Sequence, residues 1–219
     1  MADPLYSEIF FKGKKQAVVD FLNRGLQGSA VAERVSAEMS GEQIVKLLNG
    51  LEGSGIGMDS YVPLPQIDIH DHEQLKAGMD WCYERYGCRG PMPFDKWQLL
   101  YDKDGMLCIF TLLETPAAAP IPFLKYINGL DDVTVYAFGA MPPDGWTYLY
   151  HGRLQAVSLI DPYQDRLHAQ YLQSLNPDDY EESDRPIEAA NMVREFYMET
   201  FEEELCKELW EFEQKVKSE

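Results

Sequence analysis

The sequence predicts an α+β protein in which helices cover an antiparallel sheet. Three observations predict this fold class. An aromatic-rich strand at 5–13 leads directly into an amphipathic helix. Two apolar runs flank the turn sequence DKDG at 102–105, which is typical of a β-hairpin. A long segment at 187–216 places apolar residues every three or four positions, as a helix with one buried face does.

The N-terminal portion is predicted to be one strand followed by helices. Gly13 ends the strand, and the next residues place apolar side chains at helical spacing: Val18, Val19, Phe21, Leu22 and Leu26. A second helix is expected after Ser40, because Gln43 completes a capping box with it. The glycine-rich stretch at 53–65 predicts a flexible loop rather than a phosphate-binding loop, since no Lys-Ser/Thr pair follows the glycines.

A third helix is predicted over 71–87, with Asp71 as its N-cap and Gly87 as its left-handed terminator. Its apolar residues recur three or four positions apart, so we expect them to face the core. They are Leu75, Met79, Cys82, Tyr83 and Tyr86.

The middle of the chain predicts most of the sheet. After the hairpin at 96–114, a helix at 115–130 begins with prolines that suit a first helical turn. Its Phe123, Leu124 and Ile127 are expected to dock on the hairpin. Strands are predicted at 131–141 and within 145–160, and the polar segment 161–184 reads as a connector that ends in exposed acidic residues.

This reading divides the chain into three segments that are expected to pack as one compact unit. Residues 1–92 supply the first strand and the helices, 93–160 supply the core of the sheet, and 161–219 supply the acidic connector and the C-terminal helix.

Charge restricts the classes of partner. The chain has 37 acidic and 19 basic residues, a formal net charge of −18, and 15 acidic against five basic residues lie in 178–219. Such a field repels phosphate backbones, so direct binding to DNA or RNA is not expected. A basic or nucleic-acid-binding protein is the partner that this charge favours, and mimicry of nucleic acid is a compatible role.

The four cysteines and the lack of long apolar runs bear on the compartment. No run approaches the roughly 20 apolar residues that cross a bilayer, and the N-terminus lacks a basic segment before an apolar one. We therefore expect no membrane association and a cytoplasmic protein in which the cysteines stay reduced.

The middle of the chain resembles a known family. The stretches are RYGCRGPMPFDKWQLLYD at 85–102, CIFTLLETPAAAPIPFLKYINGLDDVTVYAFGA at 108–140 and GWTYLYHGRL at 145–154. Together they resemble the YubB-like ferredoxin-like family of plasmid, phage and gut-bacterial proteins. The positions that carry the resemblance are Tyr86, Gly87, Lys96, Trp97, Thr111, Pro120, Pro122, Phe123, Gly145 and Trp146.

The resemblance implies a ferredoxin-like fold and a mobile-element setting, and it transfers no active residue. It covers about half of the chain. The sequence departs from the family pattern in the insert CRGPMPFD at 88–95 and in the acidic C-terminal helix.

Residues 81–97, within the stretch GMDWCYERYGCRGPMPFDKW at 78–97, are the alternative candidate for a small-ligand site or an enzyme centre. Cys88 is expected to be an exposed thiol whose pKa is lowered by Arg85 and Arg89. Trp81, Trp97 and Trp146 would line a ligand groove with it. The competing reading is a junction, in which a helix ends at Gly87 and a strand begins at Trp97.

A metal site is not predicted, and neither is a cofactor. His70, His72, Cys82 and Cys88 are the available ligands, but structural zinc sites usually pair ligands two to four residues apart.

The C-terminal helix is the candidate for partner binding. Its apolar stripe, which includes Val193, Phe201 and Leu205, needs cover from the body of the protein or from a second copy, so an oligomer through this helix is possible. The opposite face presents an anionic row made of Glu195, Glu199, Glu202, Glu203, Glu208 and Glu211. The sequence thus favours a non-enzymatic accessory protein that acts by protein binding, with an anti-defence role as one hypothesis.

Overall fold

The computed structural model describes residues 4–29, 32–51, 55–68, 70–116, 118–140, 147–177 and 179–218, and it describes side chains as far as residue 207. The strands are β1 (Pro4–Lys14), β2 (Asp95–Lys103), β3 (Met106–Pro116), β4 (Thr134–Ala140), β5 (Thr147–His151) and β6 (Ala156–Ile160). The helices are α1 (Lys15–Gly28), α2 (Gly41–Asn49), α3 (Met58–Tyr61), α4 (His72–Tyr86), α5 (Ile121–Ile127), α6 (Arg166–Ser174) and α7 (Arg185–Ser218), with a 3₁₀ turn at Leu130–Asp132.

The predicted α+β class is confirmed. The six strands form one antiparallel sheet in the order β2-β3-β1-β4-β5-β6. The first strand of the chain therefore lies in the interior of the sheet, where it pairs with β3 along its whole length, from Pro4 opposite Pro116 to Lys14 opposite Met106. The predicted hairpin joins β2 to β3 through Asp104 and Gly105, which are both left-handed.

The chain folds as two compact units. The first comprises Met1–Gly139 with Leu149–Val157, and the second comprises Ala140–Tyr148 with Ser158–Glu219. No helix in the described ranges is long and apolar enough to cross a membrane.

The core of the first unit is a cluster of aromatic rings between the sheet and its helices. Phe11 of β1 lies 4.9 Å from Phe21 of α1 and 5.8 Å from Trp97 of β2, measured between ring centroids. Tyr61 of α3 stacks on Phe21 at 4.6 Å, and Phe123 of α5 lies 6.1 Å from Phe94. As predicted, Phe123, Leu124 and Ile127 are buried. Burying such large rings is the main favourable contribution to folding.

The local signals for helix ends are confirmed. The Ser40 hydroxyl accepts the backbone N–H of Gln43 at 3.2 Å, and the Gln43 side chain accepts the backbone N–H of Ser40 at 2.8 Å. Asp71 accepts two backbone N–H groups at the start of α4, and Gly87 ends that helix with a φ of 81°. These short-range bonds fix where α2 and α4 begin and end.

The predicted orientation of α4 is partly wrong. Cys82 and Tyr86 are buried, but Leu75, Met79 and Tyr83 are 37%, 38% and 43% exposed. The buried stripe of the helix runs through Gly78, Cys82 and Tyr86. Residues four apart lie on one side of a helix, so these three positions form a separate stripe beside the exposed one.

Two segments are more ordered than the sequence suggested. Within the predicted flexible loop at 53–65, α3 buries Met58 and Tyr61, and Gly57 forms a bridge with Pro93. Within the predicted connector at 161–184, α6 forms with Asp165 as its N-cap. The connector prediction holds for 179–184, where every residue is exposed.

Three asparagine side chains bind the backbone of distant segments in the first unit. Asn49 donates to the carbonyl of Trp97 and accepts its N–H, both at 2.8 Å. Asn23 holds both backbone groups of Val35 in the same way, and Asn128 bridges Gly152 and Val135. Each amide thus satisfies one backbone donor and one acceptor, as a neighbouring strand would.

Candidate functional site

Residues 78–97 form a junction in which a helix ends and a strand begins, as the second of the two interpretations predicts. Tyr86 is fully buried at the end of α4, and its hydroxyl donates a hydrogen bond to the carbonyl of Val62. Gly87 ends the helix, and β2 begins at Asp95. Between the helix and the strand, an isolated antiparallel β-bridge pairs Pro93 with Gly57. The high density of aromatic residues here is accounted for by packing at this junction.

Cys88 does not have the environment that a reactive thiol needs. The prediction of an exposed thiol is wrong, because Cys88 is fully buried and its Sγ lies 3.1 Å from the carbonyl oxygen of Gly90. Burial raises the pKa of the Cys88 thiol instead of lowering it. Arg85 and Arg89 are exposed, and the Arg89 guanidinium donates to the Tyr83 hydroxyl at 3.3 Å.

The tryptophans of the predicted ligand site are divided between the core and its border. Trp97 is 4% exposed and packs edge-on against Phe94 in the aromatic core. Trp81 is half-buried and packs edge-on against Tyr86. Trp146 lies outside the described residues. The described members therefore do not converge on one groove, and a ligand role for them stays a prediction.

The described residues contain no group of three or more histidine, cysteine or carboxylate side chains that could hold a metal ion. His70 and His72 are exposed, whereas Cys82 and Cys88 are buried. An open depression of about 420 Å³ lies beside α2 and is lined by Glu33, Gln43, Lys46, Leu47, Gly50 and Leu51. Its shape is shallow, so it lacks the enclosure typical of small-molecule sites.

The acidic row on α7 has the exposure that a partner-binding surface needs. Glu195, Glu199 and Glu203 are exposed and follow one another at intervals of four residues, so they lie on one side of the helix. Glu202 is half-buried; its partial burial and the nearby charge of Glu199 raise its pKa. The side chains of Glu208 and Glu211 lie outside the described residues.

The predicted apolar stripe on the other side of α7 is buried at three of its four described members, and the fourth, Tyr197, is half-buried. Val193, Phe201 and Leu205 are all at most 2% exposed. The prediction that this stripe needs cover is therefore confirmed for these three residues.

No known protein family, curated protein or solved structure matches the chain. The case for any site therefore rests on the geometry of the chain itself.

The segment before α7 extends the acidic surface. Asp179, Glu181, Glu182 and Asp184 are all exposed. The basic residues nearby bind their own chain: Arg185 donates to the carbonyl of Leu172 at 3.3 Å, and Arg194 donates to the Asn191 side chain at 2.8 Å. Both acceptors are neutral, so these two arginines keep their charge, but the four exposed carboxylates between Asp179 and Asp184 outnumber them.

Sequence reasoning missed the helix that supports this surface. Asp165 caps α6 by accepting the backbone N–H of Leu167 at 2.9 Å, and it also accepts the Tyr197 hydroxyl of α7 at 2.8 Å. His168 Nε2 lies 3.0 Å from the carbonyl oxygen of Pro186. The signal was present in the sequence, because an aspartate before apolar residues at helical spacing is a helix start.

Proposed function

We propose that the protein is a non-enzymatic binding protein whose acidic surface captures a basic protein partner. The observation that carries this proposal is the row of exposed carboxylates formed by Glu195, Glu199 and Glu203 on α7. No lysine or arginine occurs between Glu195 and Cys206 to neutralise it.

The row is unfavourable for the helix itself. Like charges four residues apart destabilise a helix by about 0.2–0.5 kcal/mol per pair. Exposed positions accept glutamine or lysine at little cost to folding, so packing does not require glutamate at these places. A repeated charge that opposes helix stability and lies on the solvent side is better explained by binding than by folding.

The charge also defines the partner. A surface rich in lysine and arginine complements it, and long-range attraction would speed the encounter at low ionic strength. Proteins that bind nucleic acid carry such surfaces. We therefore propose a partner of that class, in which the acidic surface competes with the phosphate backbone.

The finer fold assignment belongs to the same proposal. The elements β1, α1, β2, β3, α5 and β4 follow the β-α-β-β-α-β order of ferredoxin-like folds, with α2, α3 and α4 inserted after α1. The sheet order β2-β3-β1-β4 supports this assignment, and β5 and β6 extend the sheet beyond it. A mobile-element setting and a cytoplasmic location are proposed on the sequence resemblance alone.

The test is affinity capture with a matched pair of variants. In the first variant Glu195, Glu199 and Glu203 become glutamine. In the second, three exposed acidic residues of α4 are neutralised by Glu73→Gln, Asp80→Asn and Glu84→Gln, which changes the net charge equally. Each protein is used to capture partners from cells of the source organism at low and at moderate salt.

We expect the native chain and the α4 variant to capture a basic protein at low salt and to lose it at moderate salt. The α7 variant should fail to capture it. The proposal is wrong if no basic protein is captured, if both variants behave alike, or if salt has no effect on capture.

A further inference from the structure

The two edges of the sheet are built differently. β6 is the terminal strand on one side, and within the described ranges no further strand pairs with its outer edge. Its sequence from Ala156 to Ile160 contains no charged residue and no proline. Leu159 is 68% exposed, and Leu154 in the turn before the strand is 72% exposed. Among the described residues these are the two most exposed large apolar side chains.

The opposite edge, β2, has the features that prevent strand addition. Its pairing with β3 is interrupted by two register shifts, one after Asp95 and one after Leu99. The Asn49 side chain occupies both backbone groups of Trp97. Charged residues also lie at both ends of the strand. Bulges, charges and covered backbone groups are the usual means by which natural proteins block an edge.

The open apolar edge at β6 has a physical consequence. Unpaired N–H and C=O groups, flanked by exposed apolar side chains, form a template for another strand. Adding a strand pairs these groups and gives Leu159 a cross-strand neighbour, which reduces its exposure to water. The edge of β6 therefore has the properties of a binding surface, whereas the edge of β2 does not.

We propose that β6 pairs with β6 of a second copy of this chain. The strands would run antiparallel about a twofold axis, which joins the sheets of the two copies into one of twelve strands, six from each copy. A twofold contact requires a surface that is complementary to itself, and β6 meets this requirement because its five residues bring no like charges together.

The charges that flank β6 favour this occupant and this direction. Arg153 lies in the turn three residues before the strand, Asp161 lies directly after the strand, and both are exposed. In an antiparallel pair the beginning of one strand lies beside the end of the other. Arg153 of each copy would then lie near Asp161 of the other, so one uncharged strand is flanked by two opposite-charge contacts.

The test is sedimentation equilibrium of the full chain over a wide range of concentration. A buffer with about 0.15 M salt limits the range of the repulsion between the two acidic copies to a Debye length of about 8 Å. We expect a monomer–dimer equilibrium in the native protein. Arg153→Asp should weaken the dimer by about tenfold or more, because it brings two like charges close together at each end of the strand pair. Arg85→Asp on α4 makes the same change in net charge and should leave the dimer unchanged.

Two further variants make the assignment specific. Combining Arg153→Asp with Asp161→Arg exchanges the charges and should restore the dimer. Leu159→Lys places a charge on the edge and should abolish it, while thermal unfolding shows that each variant is folded. The proposal is overturned if the native chain stays monomeric at every concentration, if Arg153→Asp and Leu159→Lys leave the dimer intact, or if the charge exchange does not restore it.

Discussion

Gly152 lies in the turn between β5 and β6, at a position where the backbone leaves no room for a side chain. A Cβ added at Gly152 would overlap the carbonyl oxygen of Val135 and the side-chain oxygen of Asn128. Both groups belong to the hydrogen-bonded connection that Asn128 makes between Gly152 and Val135. The turn can therefore form only if this residue is glycine or if the connection shifts.

We predict that Gly152→Ala lowers the free energy of unfolding by about 1–3 kcal/mol, the range typical of overpacking. Urea-induced unfolding measures this change. Gly90→Ala is the matched control, because a Cβ at Gly90 meets no atom within 4 Å. Equal stability of the two variants would show that the turn adjusts without cost.

The cysteines give a second prediction at this scale. Cys82, Cys88 and Cys108 are buried, and Cys206 is exposed. Burial also raises the pKa of Cys82 and of Cys88, which keeps them as unreactive thiols. We predict that a thiol reagent labels only Cys206 in the native protein and all four cysteines in denaturant, as read by mass spectrometry. Rapid labelling of Cys88 in the native protein would contradict the buried position and revive the ligand-site reading.

At the scale of single elements, β2 depends on a side chain from outside the sheet. Asn49 is the last residue of α2, and its side-chain amide donates to and accepts from the backbone of Trp97, both at 2.8 Å. Removing the amide would leave these two backbone groups without their partners, and a lost partner for a partly buried group is costly.

We predict that Asn49→Ala destabilises the protein by about 1–3 kcal/mol. Gln16→Ala is the control, since the Gln16 amide donates to Asp20 on the exposed side of α1 and its loss should cost less than about 0.5 kcal/mol. Both values come from denaturant unfolding monitored by tryptophan fluorescence. If Asn49→Ala costs no more than the control, the edge of β2 is satisfied by water instead.

On α7, Glu202 gives a pH-dependent prediction. Partial burial, and then the charge of Glu199, raise the pKa of Glu202 above its ordinary value. The folded chain therefore holds this proton more tightly than the unfolded chain does. Proton binding by Glu202 therefore adds to the free energy of unfolding at pH values below the ordinary glutamate pKa. This contribution is lost as the pH rises through the raised pKa of the folded chain.

Glu202→Gln should accordingly be more stable than the native protein at pH 7, and the difference should vanish below about pH 4, where both chains carry a neutral group. Glu203→Gln removes a charge from an exposed position and should have a smaller effect. Thermal unfolding at several pH values distinguishes them. A gain at pH 7 that is equal in the two variants would show that general charge, not burial, is responsible.

The elements also show what can be predicted from sequence. Ser40 with Gln43, and Asp71 with Gly87, mark helix ends through partners that are close in the chain, so the sequence alone predicts them. The orientation of α4 depends on which side its neighbours approach, and that is decided by distant residues such as Val62, which binds Tyr86. The predicted exposure of Cys88 is wrong for the same reason. The charged residues beside it in the sequence suggest a surface position, but the fold buries it.

More of the candidate partner surface than of the candidate ligand site could be predicted from the sequence. The exposure of Glu195 and Glu199 follows from helical spacing, which is a local property, and the structure confirms it. The contact of α6 with α7 joins residues as far apart as Asp165 and Tyr197, and no local pattern predicts such a pairing.

At the scale of the whole molecule, the net charge of −18 opposes the compact state. Salt screens this repulsion, since the Debye length falls from about 30 Å at 0.01 M to about 8 Å at 0.15 M. We predict that the melting temperature rises over this range of sodium chloride. Choline chloride should give the same rise if screening is the cause. A melting temperature that falls with salt would mean that ion pairs such as Arg24 with Asp131 outweigh the repulsion.

The position of β1 in the interior of the sheet affects folding during synthesis. Its aromatic residues leave the ribosome well before their partner strand, which ends at Pro116, and β4 follows only after that. At about 5–20 residues per second, the nascent chain presents an unpaired Phe10–Phe11 segment for about 5–20 s. During that interval a chaperone has an evident target, and a ribosome stalled before residue 106 would release a fragment prone to aggregation.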